Sequence, residues 1–187
     1  NAALVAAKRS ETPDAAAFTD AQGATWELGT STGPLGTVTP FAYGHDERAD
    51  WRGWVIIDGW TGTAGNSKTW PYLFANMDAT AKMFFNDGPA VSAGTDEFVF
   101  HPGNNRTYVR LGWTAPADGI YRVSGLLRHV ADTYGDGVDG VVTVSSNRYA
   151  MSAAAVEKGA VAALDAGDVW LRAGERLGLA LGPGAGG

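Results

Sequence analysis

From Phe18 onward the chain consists of short apolar runs separated by clusters of glycine, asparagine and aspartate. That punctuation belongs to an all-β sandwich or barrel, because each run ends after a few residues where the backbone must turn. Composition agrees. The 26 glycines among 187 residues are about twice the usual share, and charged residues, at 18%, fall short of the usual quarter or so, so turns are abundant and long solvated helices few. A chain of this length is one domain, or one domain with a short extra segment, and buries roughly 70% of its unfolded surface. It needs no covalent staples, and the absence of cysteine excludes thiolate chemistry and cysteine-based zinc sites.

Residues 1–17 are alanine-rich and of mixed charge, and Pro13 breaks any helix begun at Ala2, which predicts a short helical or disordered arm ahead of a sandwich domain spanning 18–187. In "EFVFHPG", Phe98 and Phe100 share one face. In "RTYVRLGW", Val109, Leu111 and Trp113 point one way, Tyr108 and Arg110 the other. After the "TAPADG" turn, "IYRVSGLLRHV" sets Tyr121, Val123 and Leu127 opposite Arg122, Ser124 and Arg128. These two runs are expected to be adjacent antiparallel strands. "GVVTVSS" reads as another strand, and "DVWLRAGERLGLALGPG" as two strands around an "AGE" turn, with Leu177, Leu179 and Leu181 on one face. In "YAMSAAAVEKGAVAALDAG" alanine favours helix, but Gly159 interrupts the pattern between strands, so a loose hairpin is expected.

Taken together, the segment ending in "HPG", the "R-x-x-W-T-A-P-x-x-G-x-Y-x-V-S-G" pair, the "GDGVDG" loop and the last "L-x-A-G-E" strand resemble the jelly-roll accessory domains of secreted bacterial proteins. Such domains are attached to carbohydrate-active enzymes, like carbohydrate-binding modules. "FTDAQGATWELG" is similar to the segment that opens many of them. The resemblance runs from about Phe18 to the end and is strongest over 96–182. It implies an antiparallel jelly-roll β-sandwich in an extracellular or cell-surface setting. One departure is that another strand normally follows the "GPG" turn, so the sandwich is expected to lack a final strand here. Truncation, a linker, or a strand lent by a partner would each account for that.

The net charge of −6, with no stripe of lysine or arginine, argues against nucleic acid and against an acidic membrane surface as partners. No apolar run approaches the roughly 20 residues needed to cross a bilayer. The start "NAALVAAKRSETPDAAA" looks like a mature chain after removal of a signal peptide, as would a trimmed one.

Candidate chemistry concentrates between Phe41 and Phe74, where eight of the chain's aromatics fall (Phe41, Tyr43, Trp51, Trp54, Trp60, Trp70, Tyr72, Phe74). If "WVIIDGW" is a strand, Trp54, Asp58 and Trp60 share a face. An indole offers its face to the axial C–H groups of a sugar, and a carboxylate accepts from its hydroxyls, so Trp51, Trp54, Asp58, Trp60, Trp70 and Tyr72 form a candidate glycan platform. Burial in the core is the competing reading of the same rings.

In "DTYGDGVDG", Asp132, Asp136 and Asp139 could converge on a structural calcium ion, although aspartate and glycine are also ordinary turn residues. His45, His101 and His129 lack zinc-hydrolase spacing, and His101 is expected to end a strand and bond to nearby backbone. His45, Asp46, Glu47 and Asp50 are the one place where acids and a base meet aromatics. Neither a GxSxG motif nor a paired-carboxylate spacing is present. The leading expectation is a non-catalytic module that binds a polysaccharide or other glycan. The alternatives are a self-assembling subunit of a surface layer or filament completed by a partner strand, and a polysaccharide hydrolase or lyase.

Overall fold

The structure, a computed structural model, describes residues 17–20, 22–46, 57–61, 71–76, 83–84, 92–93, 97–103, 105–129, 137–144 and 149–184. Most of the N-terminal arm therefore lies outside the described residues, and Ala17 already belongs to a strand. Among the described residues every regular element is a strand. In chain order these are β1 (Ala17–Thr19), β2 (Thr25–Thr32), β3 (Thr39–Pro40), β4 (Ala42–Asp46) and β5 (Ile57–Thr61). Next come β6 (Tyr72–Asn76), β7 (Met83–Phe84), β8 (Ser92–Ala93), β9 (Phe98–His101) and β10 (Thr107–Thr114). The last are β11 (Gly119–Arg128), β12 (Val138–Val144), β13 (Tyr149–Val156), β14 (Val161–Leu171) and β15 (Arg176–Pro183).

All described pairings are antiparallel, as the alternating patterns required. A seven-stranded sheet runs β1-β2-β10-β15-β12-β13, with β3 added to β2, and a four-stranded sheet runs β4-β5-β6-β9. β11 and β14 form a two-stranded ribbon, and β7 pairs with β8. No described ladder joins the ribbon to the four-stranded sheet, so the antiparallel sandwich stands on these pairings without the full wiring of a jelly roll.

The core lies between the layers. Leu28, Leu111, Leu179 and Val142 line up across four strands of the large sheet. Onto the same face come Leu127 from the ribbon and Leu73 from the four-stranded sheet, both buried, together with Phe41 and Val156. Burying each such side chain contributes about 1.5–3 kcal/mol. Close approach also requires glycine at one point, since a Cβ on Gly140 of β12 would stand 2.7 Å from Leu127 Cδ2. A second cluster of Ala115, Val144, Val169, Leu171 and Leu177 closes one end of the sandwich.

Two expected pairings are corrected. β10 and β11 have the faces predicted for them but are not neighbours: β10 lies between β2 and β15, while β11 pairs with β14 in the opposite layer. The connection is an arch that crosses the core. Its Ala115 is buried, as a hairpin tip would not be, and Trp113 meets Tyr121 edge-to-face across the layers with ring centroids 4.8 Å apart.

The second correction is similar. The alanine-rich segment forms the two strands β13 and β14 around a turn at Gly159, but they pair with β12 and β11 and not with each other. Helix propensity, worth only tenths of a kcal/mol per residue, yields to these ladders.

The β14–β15 connection is likewise an arch, and it is tied to the first: Ala115 N–H donates to Glu175 O (2.8 Å), Gly174 N–H to Ala115 O (2.9 Å) and Ala173 N–H to an Asp118 carboxylate oxygen (2.8 Å). Each arch thus supplies the acceptors and donors that the other would otherwise leave unpaired at the end of the sandwich.

Candidate functional site

Trp51, Trp54, Trp70, Asp132 and Asp136 lie outside the described residues. Asp58 and Trp60 are in β5 and Tyr72 is in β6. In the ladders, position 60 stands opposite Tyr43 and Leu73, and position 58 opposite His45 and Ala75. Position 72 belongs to the neighbouring row, with Thr61 and His101. Positions 58 and 60 thus share the sheet face of Leu73, and position 72 the other face. At the end of β9, His101 Nδ1 lies 2.6 Å from Pro102 O, the backbone contact expected for it, and burial pushes its imidazole pKa below the ordinary value.

An exposed aromatic surface lies elsewhere, on the outer face of the ribbon. Along β14, Leu164 points inward and Asp165 outward, and further on Val169 and Leu171 point inward with Asp168 and Trp170 outward. Two carboxylates three positions apart would face opposite ways in a regular strand. A bulge changes the phase: Val123 pairs with Gly167 but Ser124 with Asp165, leaving Ala166 extra. Gly167 adopts φ 67°, and its N–H donates to Asp165 Oδ1 (2.7 Å). This left-handed conformation suits glycine because no Cβ collides with the backbone.

The consequence is a clustered site. Arg122 of β11 reaches both acids, Nη2 to Asp165 Oδ2 at 2.9 Å and Nη1 to Asp168 Oδ1 at 3.5 Å. Trp170, 62% exposed, stands next to them, with the exposed Ile120 directly opposite in the ladder. Solvent-exposed ion pairs of this kind add about 0–1 kcal/mol to stability. What they provide is orientation: two carboxylates that accept and a guanidinium that donates, beside an open indole face. The sequence carried a signal for this arrangement in "DAGD" followed by the V-W-L alternation, and the glycine within it is what brings the two acids to one side.

Asp139 is in β12, opposite Gly182 of β15, and the Tyr108 ring lies over that glycine. Among the described residues no three acidic or histidine side chains come together closely enough to hold a metal ion. Burial raises the Asp139 carboxyl above its ordinary pKa, and Tyr108 is raised too, by burial first and by the Asp139 charge second. The folded state therefore holds the Asp139 proton to higher pH than the unfolded chain, and this group's favourable contribution is lost as pH rises through its folded value. Asp139→Asn is expected to be more stable than the parent at pH 7 and to lose that advantage below about pH 4, where aspartate is protonated in both states. Denaturation midpoints of the two proteins across that range provide the check.

The class defined by fold and site is an antiparallel β-sandwich carrying an aromatic, doubly acidic face on a two-stranded ribbon. Comparison with family models, with curated proteins and with solved structures finds no match to this chain.

Proposed function

We propose that this chain is a non-catalytic extracellular module that binds carbohydrate, with Trp170 as its ring platform. The observation that carries the reading is the exposed indole held on a regular strand beside the Arg122, Asp165 and Asp168 cluster. An indole face covers the C–H side of a pyranose while carboxylates accept from its hydroxyls and a guanidinium donates to them. A strand presents these groups with little ordering cost on binding, which favours affinity.

The test is affinity electrophoresis and pull-down against soluble and insoluble polysaccharides, with tryptophan fluorescence followed on any hit. Trp170→Ala is expected to weaken retention about ten-fold or more, a factor equivalent to ~1.4 kcal/mol. Unchanged retention in Trp170→Ala with loss in Trp51→Ala or Trp60→Ala would move the site away from the ribbon.

A second reading, self-assembly, has its own observation: among the described ladders β11 and β14 pair only with each other, and unpaired strand edges recruit other strands. Sedimentation showing a monomer at every concentration would remove it.

A further inference from the structure

Arg110 leaves β10 on the side away from the ribbon, on the outer face of the large sheet. Its cross-strand neighbours there are Gly29 of β2 and Ala180 of β15. Its guanidinium lies along a floor of small residues: a Cβ on Gly178 would stand 3.0 Å from Arg110 Nη2 and 2.5 Å from Thr143 Oγ1. The residue is only 8% exposed.

The donors can be accounted for one by one. Nη1 donates to Ser31 Oγ at 3.2 Å and to the carbonyl oxygen of Pro34. Nε is enclosed and has no acceptor among the described residues. Among the described residues Nη2 makes no hydrogen bond, and no carboxylate pairs with Arg110. Burial lowers the guanidinium pKa, but arginine remains protonated in proteins, so a full positive charge sits in this enclosed place without a counter-ion among the described residues. Such a charge is ordinarily unfavourable unless it is paired.

The two idle donors are adjacent. Nε–H and Nη2–H project in parallel from one edge of the guanidinium plane, at the separation of the two oxygens of a carboxylate. We propose that this edge of Arg110 is a binding fork for a carboxylate-bearing ligand, with Gly178 as its floor and Thr143 at its side. The segment above Gly29 ends in Val38, whose Cγ1 would stand 2.9 Å from a Cβ placed there, and Val38 is 39% exposed. The site is on the opposite side of the sandwich from Trp170 and does not depend on the carbohydrate reading.

The test follows the Arg110 Nε–H resonance in ¹H–¹⁵N spectra of the whole chain, assigned through its own side-chain correlations so that no variant has to fold. Acetate and glucuronate are titrated against chloride and glucose at matched ionic strength, with sulfate as a further arm. Saturable movement of this resonance with the two carboxylates, in the millimolar range, and none with glucose or chloride is the expected result. Gly178→Val, which sets a side chain against Nη2, should weaken the response at least ten-fold while the circular dichroism spectrum is kept. A resonance that ignores carboxylates, follows chloride equally, or responds to sulfate alone overturns the proposal.

Discussion

Replacing Gly29 with alanine is expected to destabilise the protein by about 3 kcal/mol, in the range of severe overpacking in a rigid setting. A Cβ built there would stand 2.3 Å from Thr39 O and 2.9 Å from its carbonyl carbon. Both are backbone atoms, so no rotamer change relieves the clash. β3 would have to leave β2, giving up the Gly29–Pro40 and Thr30–Thr39 pairings and stretching the bond from Phe41 N–H to Leu28 O, now 3.1 Å. Phe41 is a core residue, so the damage would reach the interior. Gly125→Ala is the matched control. Nothing lies within 4 Å of its Cβ, and the substitution should be neutral or stabilising by up to about 1 kcal/mol through reduced freedom of the unfolded chain. Urea midpoints for the two variants give the comparison, and equal midpoints would show that β3 moves without cost.

Asp20→Ala should cost a similar amount, about 2–4 kcal/mol, at the other end of the same segment. The Asp20 carboxylate is buried and accepts three hydrogen bonds: Oδ1 from Gln22 N–H (3.0 Å) and Ala24 N–H (2.9 Å), and Oδ2 from Trp26 Nε1–H (2.9 Å). With Asp20 N–H donating to Ala24 O (2.9 Å) and Gly23 N–H to Asp20 O (3.0 Å), one side chain organises the whole turn between β1 and β2. Alanine would strand three donors where water reaches poorly. Asp20→Asn keeps an acceptor for the backbone pair and loses the one serving Trp26, so its stability should fall between those of the parent and of Asp20→Ala. If asparagine and alanine cost the same, the indole bond is not what the second oxygen supplies.

Both residues belong to "FTDAQGATWELG", which the sequence offered only as similar to the segment that opens many jelly-roll accessory domains. The turn composition can be read there, but that Asp20 reaches six residues ahead to an indole cannot. Alternation was equally legible in β10 and β11, and the inward sets Val109, Leu111, Trp113 and Tyr121, Val123, Leu127 are those observed. Their partners were not legible, because a hairpin and an arch use the same proline, glycine and aspartate turn residues. The difference lies in whether Trp113 and Tyr121 meet beside each other in one sheet or across two. The candidate site shows the same division. That Trp170 faces away from Val169 and Leu171 follows from alternation, but Asp165 joins it only through the bulge at Ala166–Gly167.

By itself, then, the amino-acid order determined the all-β class and, for β10, β11 and β15, the strands with their inward and outward faces, because these depend on neighbours one or two residues away. Only the tertiary structure decided which strands pair and which outward positions stay open. Arg110 and Arg122 occupy equivalent outward positions in successive alternating strands. One lies buried beneath the segment that supplies the Pro34 carbonyl, and the other has a side chain 62% exposed between two carboxylates. The covering segment is more than 70 residues away from Arg110 in the chain, Pro34 being separated from it by 76 positions. Packing at that range depends on the whole chain closing around its core, and no local pattern records it.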